Sequence, residues 1–156
     1  LRAEIDSGTE LGRKMSSIMS KGELVPDEVV IEMIAAKIDS TKNRAGFLYD
    51  GFPRTVAQTV ALEKMLNDRG MQIDTMLVLD VDHDELVKRL ILRAEQSGRP
   101  DDKDPAVIDN RIDVYKSKTE PIIDYCRKKG IYQPVNGVGS IEDIFRRLSD
   151  CITKNI

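Results

Sequence analysis

Residues 46–58, GFLYDGFPRTVAQ, decide how the rest of the chain is read. Phe47, Leu48 and Tyr49 form a short apolar run of the kind a buried parallel strand shows, and the run stops at a carboxylate, Asp50. A turn follows at once. Gly51 allows close backbone approach, Pro53 fixes its own φ and biases Phe52 toward extended geometry, and Thr55 with Gln58 makes a T-x-x-Q capping box that opens a helix. Asp50 and Arg54 thus sit where the carboxyl end of a strand meets a helix start, the place where open α/β sheets hold their ligands. An acid able to hold a metal ion or its water, close to a guanidinium able to fork onto phosphate, suggests phosphoryl chemistry. The alternative is a strand edge carrying a surface Asp–Arg pair.

Composition sets the outer limits. A chain of 156 residues suits one domain with a real core, and 33% charged with 40% hydrophobic residues is ordinary soluble composition. The net charge of -3 argues against general nucleic-acid binding, because no basic excess is available to displace counterions, so any cationic site must be local. No apolar run approaches the roughly 18 residues of a membrane span, and no signal peptide heads the chain, so neither a membrane nor an exported compartment is expected. Cys126 and Cys151 lack metal-ligand spacing and read as buried thiols in a reducing cytoplasm. His83, following Asp82 at a helix start, reads as a solvated side chain.

The pattern alternates strands with helices, which gives an α/β fold, a doubly wound parallel sheet with flanking helices. Residues 1–6 read as the end of a helix broken at Ser7-Gly8. Thr9 caps the next, which carries Leu11, Met15, Ile18 and Met19 at helical spacing up to Gly22. Pro26 at a first helical position opens another, with Val30, Ile31, Ile34 and Ile38 on its apolar face. These make a helical excursion over residues 9–38. After the helix from Thr55 to about Arg69, residues 76–81 (MLVLDV) form a second strand, and the following helix holds Leu86, Leu90 and Ile91 inward. SGRPDDKDP, residues 97–105, reads as an exposed loop. A long helix from about Pro105 to Lys129 is expected to kink or break at Pro121. Residues 131–135 form a third strand, and Ser140 caps a last helix with Ile141, Ile144, Phe145 and Leu148 facing inward.

The arginines around the exposed loop are the other residue-level signal. Arg89 and Arg93 share one helix face, Arg99 lies in the loop and Arg111 on the helix that can fold back across it. Converging, they would make an anion clamp, since each guanidinium offers a planar fork to phosphate oxygens; apart, they are solvated helix arginines with local acidic partners.

DGFPRTxxQ, with LRAEIxSGTELG at the start and KGELVPDEVV after it, resembles the adenylate kinases of the short-lid type, within the nucleoside monophosphate kinases, over essentially the whole chain. The resemblance implies the P-loop nucleoside monophosphate kinase type of sheet, with its first two strands absent from this chain. It implies one nucleotide-kinase domain over residues 1–156, incomplete at the N-terminus, with the excursion at 9–38 binding AMP and a short lid at 95–106. Arg2 resembles the arginine that pairs with the AMP phosphate. Glu23, Leu24 and Val25 resemble the stretch whose backbone lines the adenine of AMP, while Gly51, Phe52, Pro53 and Arg54 line its other side. Gln58 resembles the residue that bonds the adenine edge, a role in conflict with its capping-box reading. Arg89 and Arg93 resemble lid-hinge arginines that meet ATP, Arg99 and Arg111 the pair spanning the transferring phosphoryl group and the AMP phosphate, and Gly139 a backbone contact to the ATP base. Asp50 resembles the acid that holds magnesium (Mg2+) through water, and Asp101 with Asp102 the acidic pair of the lid. No zinc is expected in so short a lid, and a cytoplasmic monomer is.

The activity implied is reversible, in-line phosphoryl transfer from ATP to AMP giving two ADP, with Arg54, Arg93, Arg99 and Arg111 as the catalytic set. A UMP/CMP-type kinase shares DGFPR and the lid arginines, and a non-catalytic nucleotide-binding fragment is the reading from another class. The family's strand, Gly-rich phosphate loop and second strand all lie before the position matching Leu1. The expectation is therefore that these residues belong to a longer chain, or that a rearranged fold fills the gap, and that the 156 residues alone make a poor kinase.

Overall fold

The computed structural model describes residues 5–42, 45–97 and 104–155, so Arg2, Arg99, Asp101 and Asp102 lie outside the described residues. In chain order the elements are α1 (Glu10–Met19), α2 (Asp27–Ser40), α3 (Val56–Asn67), β1 (Met76–Asp80), α4 (His83–Ser97), α5 (Pro105–Val114), a π-helical turn (Tyr115–Thr119), α6 (Pro121–Lys128), β2 (Tyr132–Asn136) and α7 (Ile141–Asn155). None of the described helices is long and apolar enough to cross a membrane.

β1 and β2 pair in parallel, from Met76 opposite Tyr132 to Asp80 opposite Asn136, with α4, α5 and α6 in the crossover. A parallel pair needs such a long connection, and a parallel sheet flanked by helices is the α/β class expected. Pro134 in β2 has no N–H to give a further strand, which suits an edge position.

Helix boundaries follow their caps. Thr9 Oγ1 accepts from the amide of Gly12, and Thr55 Oγ1 accepts from that of Gln58. Ser140 Oγ accepts from the amide of Asp143 and donates to its carboxylate. Pro26 caps α2 from outside rather than occupying its first turn. Pro121 breaks the long helix as expected, and the preceding turn is π-helical, with the Glu120 amide donating to the Tyr115 carbonyl at 2.9 Å.

The main core lies among the helices. Met15, Val25, Val30, Ile38, Phe52, Leu62, Met65 and Leu66 form one buried cluster, and Leu90, Ile108 and Ile112 a smaller one between α4 and α5. On the far side of α3, Glu63 accepts hydrogen bonds from Tyr125 (2.7 Å) and Lys129 (2.6 Å), tying α3 to α6. Burial alone would raise the Glu63 carboxyl, but these two donors outweigh it and hold the group below its usual range.

Three further expectations are corrected. Residues 47–49 are extended but form no strand, and the described sheet is β1 and β2. Phe47 and Tyr49 turn one way onto the helical core while Leu48 is 78% exposed, so the run is buried on one face rather than two. Ile91 is exposed on α4, since the inward face of that helix is spent on Leu86, Val87 and Leu90. Ile141 and Phe145 of α7 are 84% and 70% exposed, so the apolar stripe of that helix is covered only in part by the described residues.

Candidate functional site

The turn after Tyr49 is built to hold Arg54. Gly51 has φ +69°, and the Phe52–Pro53 peptide is cis. Arg54 Nε donates to the Gly51 carbonyl at 2.7 Å, and a Cβ on Gly51 would stand 3.0 Å from Arg54 Nη2. The guanidinium therefore lies over the backbone of Gly51, where a side chain would press against it. From the other side, Thr119 of the π-helical turn donates to the Arg54 carbonyl at 2.9 Å. Phe52 is buried beneath the turn, while Asp50, Gly51 and Arg54 are exposed.

Gln58 is 2% exposed and sits at the centre of a polar network. Its Oε1 accepts from the Arg54 amide at 2.7 Å, and its Nε2 donates to Asp27 Oδ1 at 2.7 Å. The other Asp27 oxygen, Oδ2, accepts from the Thr55 hydroxyl at 3.1 Å. The capping box is thus half formed: Thr55 caps α3, whereas the Gln58 side chain reaches past the Thr55 amide to that of Arg54. Sequence reading missed the part played by Asp27. Its position in the first turn of α2 signals only a favourable helix-dipole interaction, and a partner 31 positions away leaves no local mark.

The third wall comes from α5. Gly22, at φ +77°, lies so close to that helix that a Cβ there would meet Arg111 Cγ at 2.7 Å and the Val107 carbonyl oxygen at 3.0 Å. Asn110 Nδ2 donates to the Lys21 carbonyl at 2.7 Å. The stem of half-buried Arg111 thereby lies against the turn that leads into Glu23, Leu24 and Val25. In that stretch Glu23 is exposed, Leu24 half-buried and Val25 buried in the helical core. Three distant segments, 21–27, 50–58 and 107–111, therefore meet.

Other residues singled out from the sequence stand elsewhere. Arg89 Nε donates to Glu85 Oε1 at 2.6 Å, the local acidic partner that the alternative reading of the arginines required. Arg93 is half-buried one turn further along α4. Gly139 lies in the turn before α7 at φ +127°, beside Asp143 and Arg147. A surface hollow along α4, lined by His83, Asp84, Val87, Lys88 and Ile91, contains none of the expected site residues.

Among the described residues no three His, Cys, Asp or Glu side chains gather into a ligand set. The exposed carboxylate of Asp50 suits a magnesium ion that keeps most of its waters.

Comparison with known proteins identifies the family. A family model described as adenylate kinase matches residues 1–131. A protein named adenylate kinase from Phocaeicola vulgatus is 45% identical over 154 residues, covering 99% of this chain and 81% of its own length. One of the same name from Bacteroides thetaiotaomicron gives the same figures. A third, from Maricaulis maris, is 45% identical over 144 residues, covering 92% of this chain and 76% of its own. With the family model spanning most of its length and such relatives covering nearly all of it, the chain belongs to the adenylate kinase family.

Proposed function

We propose that the protein is a nucleoside monophosphate kinase that transfers a phosphoryl group from ATP to AMP, with magnesium. The observation that supports this reading is that segment 21–27 touches both of the others, through Asp27 to Gln58 and through Gly22 to Arg111, while Arg54 is held on the Gly51 backbone. The base of AMP lies against Leu24, Val25 and Gln58, with Glu23 at the rim. Gly51, Phe52 and Pro53 close its other side.

Phosphoryl transfer asks for positioning and for positive charge on the equatorial oxygens, so arginines serve where no nucleophile is needed. Arg54 and Arg111 hold the acceptor phosphate, with Arg2 and Arg99 assigned beside them. Arg89 and Arg93 take the ATP side, and Gly139 meets its base. Asp50 would hold a magnesium ion through water, and the ion would supply positive charge to the phosphates. Segments 9–38 and 95–106 act as covers that exclude water as a competing acceptor.

The test is ADP formation by the encoded protein from ATP with AMP, UMP or CMP, with and without magnesium. Magnesium-dependent turnover that favours AMP is expected. Preference for UMP or CMP would move the protein to the pyrimidine type, and AMP binding without turnover would make it a nucleotide-binding module.

A further inference from the structure

We propose that Asp27 is a positioning residue that fixes which way round the Gln58 amide stands, and thereby makes the acceptor site choose a 6-amino purine over a 6-oxo purine. The inference rests on the reading above, in which the acceptor base meets Gln58.

A primary amide offers two N–H donors and two acceptor lone pairs. Gln58 spends one donor on Asp27 Oδ1 and one lone pair on the Arg54 amide, both at 2.7 Å. The two anchors differ in kind, since a carboxylate only accepts and a backbone N–H only donates. Turning the amide over would set oxygen against oxygen at Asp27 and N–H against N–H at Arg54. Asp27 is itself held in place by the Thr55 hydroxyl at 3.1 Å, so it cannot swing away without giving up a second hydrogen bond. The orientation is therefore locked at both ends.

One N–H and one lone pair remain, on a side chain that is 2% exposed and so has little access to water. Unspent hydrogen-bonding capacity in a closed place is costly unless a ligand takes it up. A donor and an acceptor on neighbouring atoms of one amide are the complement of the N1/C6 edge of a purine. Adenine offers there an acceptor at N1 and a donor at its 6-amino group, whereas hypoxanthine and guanine offer N1–H and a 6-oxo acceptor, the reverse order. An amide free to turn serves either edge. A locked one serves a single order in a given base pose, which on the present reading is adenine's.

The experiment measures binding of AMP and IMP, which differ only at this edge, by calorimetry on the encoded protein and on its Asp27→Asn and Asp27→Glu variants. Asparagine presents either a donor or an acceptor and leaves only the Arg54 amide to oppose turning, so in D27N the ratio of IMP to AMP dissociation constants should fall roughly tenfold, the factor one charge-assisted hydrogen bond controls. Glutamate still only accepts, so D27E should keep most of the discrimination. A folded D27N with the wild-type ratio would overturn the assignment. Because D27N could also lose fold, a second readout uses the wild type alone: of the two Gln58 Nε2 protons in an amide NMR spectrum, the one not held by Asp27 should shift on AMP addition and not on IMP addition. Equal responses to both nucleotides would also overturn it. If the wild type binds no AMP at all, the kinase reading itself fails and takes this inference with it.

Discussion

Gly22 shows most plainly how a single residue sets the site. Its φ of +77° is strained for any residue with a Cβ, and the space a Cβ would need is already held by Arg111 Cγ and the Val107 carbonyl. The arginine stem could shift, but the helix backbone cannot. Gly8 is the natural control, since it has φ +70° but nothing within 4 Å. Gly22→Ala should therefore cost about 1–3 kcal/mol in urea denaturation and clearly more than Gly8→Ala, and should weaken AMP binding through displaced Arg111. Equal costs for the two variants would mean that the approach of α5 to this turn is slack. Much at this scale was legible: the DGFPR turn, the Thr55 cap and the stretch 23–25 all announce themselves in order along the chain. Asp27, Asn110 and Thr119 did not. Each acts through a partner at least 28 positions away, and no local periodicity encodes such a contact.

Among the elements, α3 carries the most constraint, because its first turn makes the site while its middle is tied to α6 by Glu63. The Glu63 carboxyl lies below its usual value in the folded chain, against the pull of its own burial. A depressed acid contributes stability that is present above its unfolded pKa, about 4.5, and is lost as pH falls through the lower folded value. Lys129, raised by its hydrogen bond to Glu63, contributes below its unfolded pKa and is lost only as pH climbs through the raised folded one. Glu63→Gln should accordingly narrow the stability gap to wild type as pH drops from about 7 to about 3, measured by denaturant titration at each pH. A gap that stays constant across that range would remove Glu63 from the acid response. Element boundaries were mostly legible because caps and Pro121 are local signals. Residues 47–49 were not, since a strand is defined by a neighbouring ladder, and an apolar run in isolation does not reveal whether one is present.

At the scale of the whole molecule, the helical crossover between the two parallel strands sets α5 against the turn between α1 and α2, the π-helical turn against Arg54, and α6 against α3. On the proposed reading, the segments so brought together wall the acceptor side. The class of the fold followed from the order of apolar runs and helical periods, whereas the meeting of segments 21–27, 50–58 and 107–111 is a property of tertiary packing. The apolar stripe of α7 was legible too, but which of its residues are covered depends on the elements packed beside it, which the helix's own sequence does not state. The central claim is that those three segments form one acceptor site. Amide NMR shift mapping during an AMP titration tests it most directly. The account predicts that the largest shifts fall together on Gly22 to Asp27, Gly51 to Gln58 and Arg111, with one shared dissociation constant, while β2 and α7 stay still; shifts confined to the hollow along α4, or spread over segments with unequal constants, would contradict it.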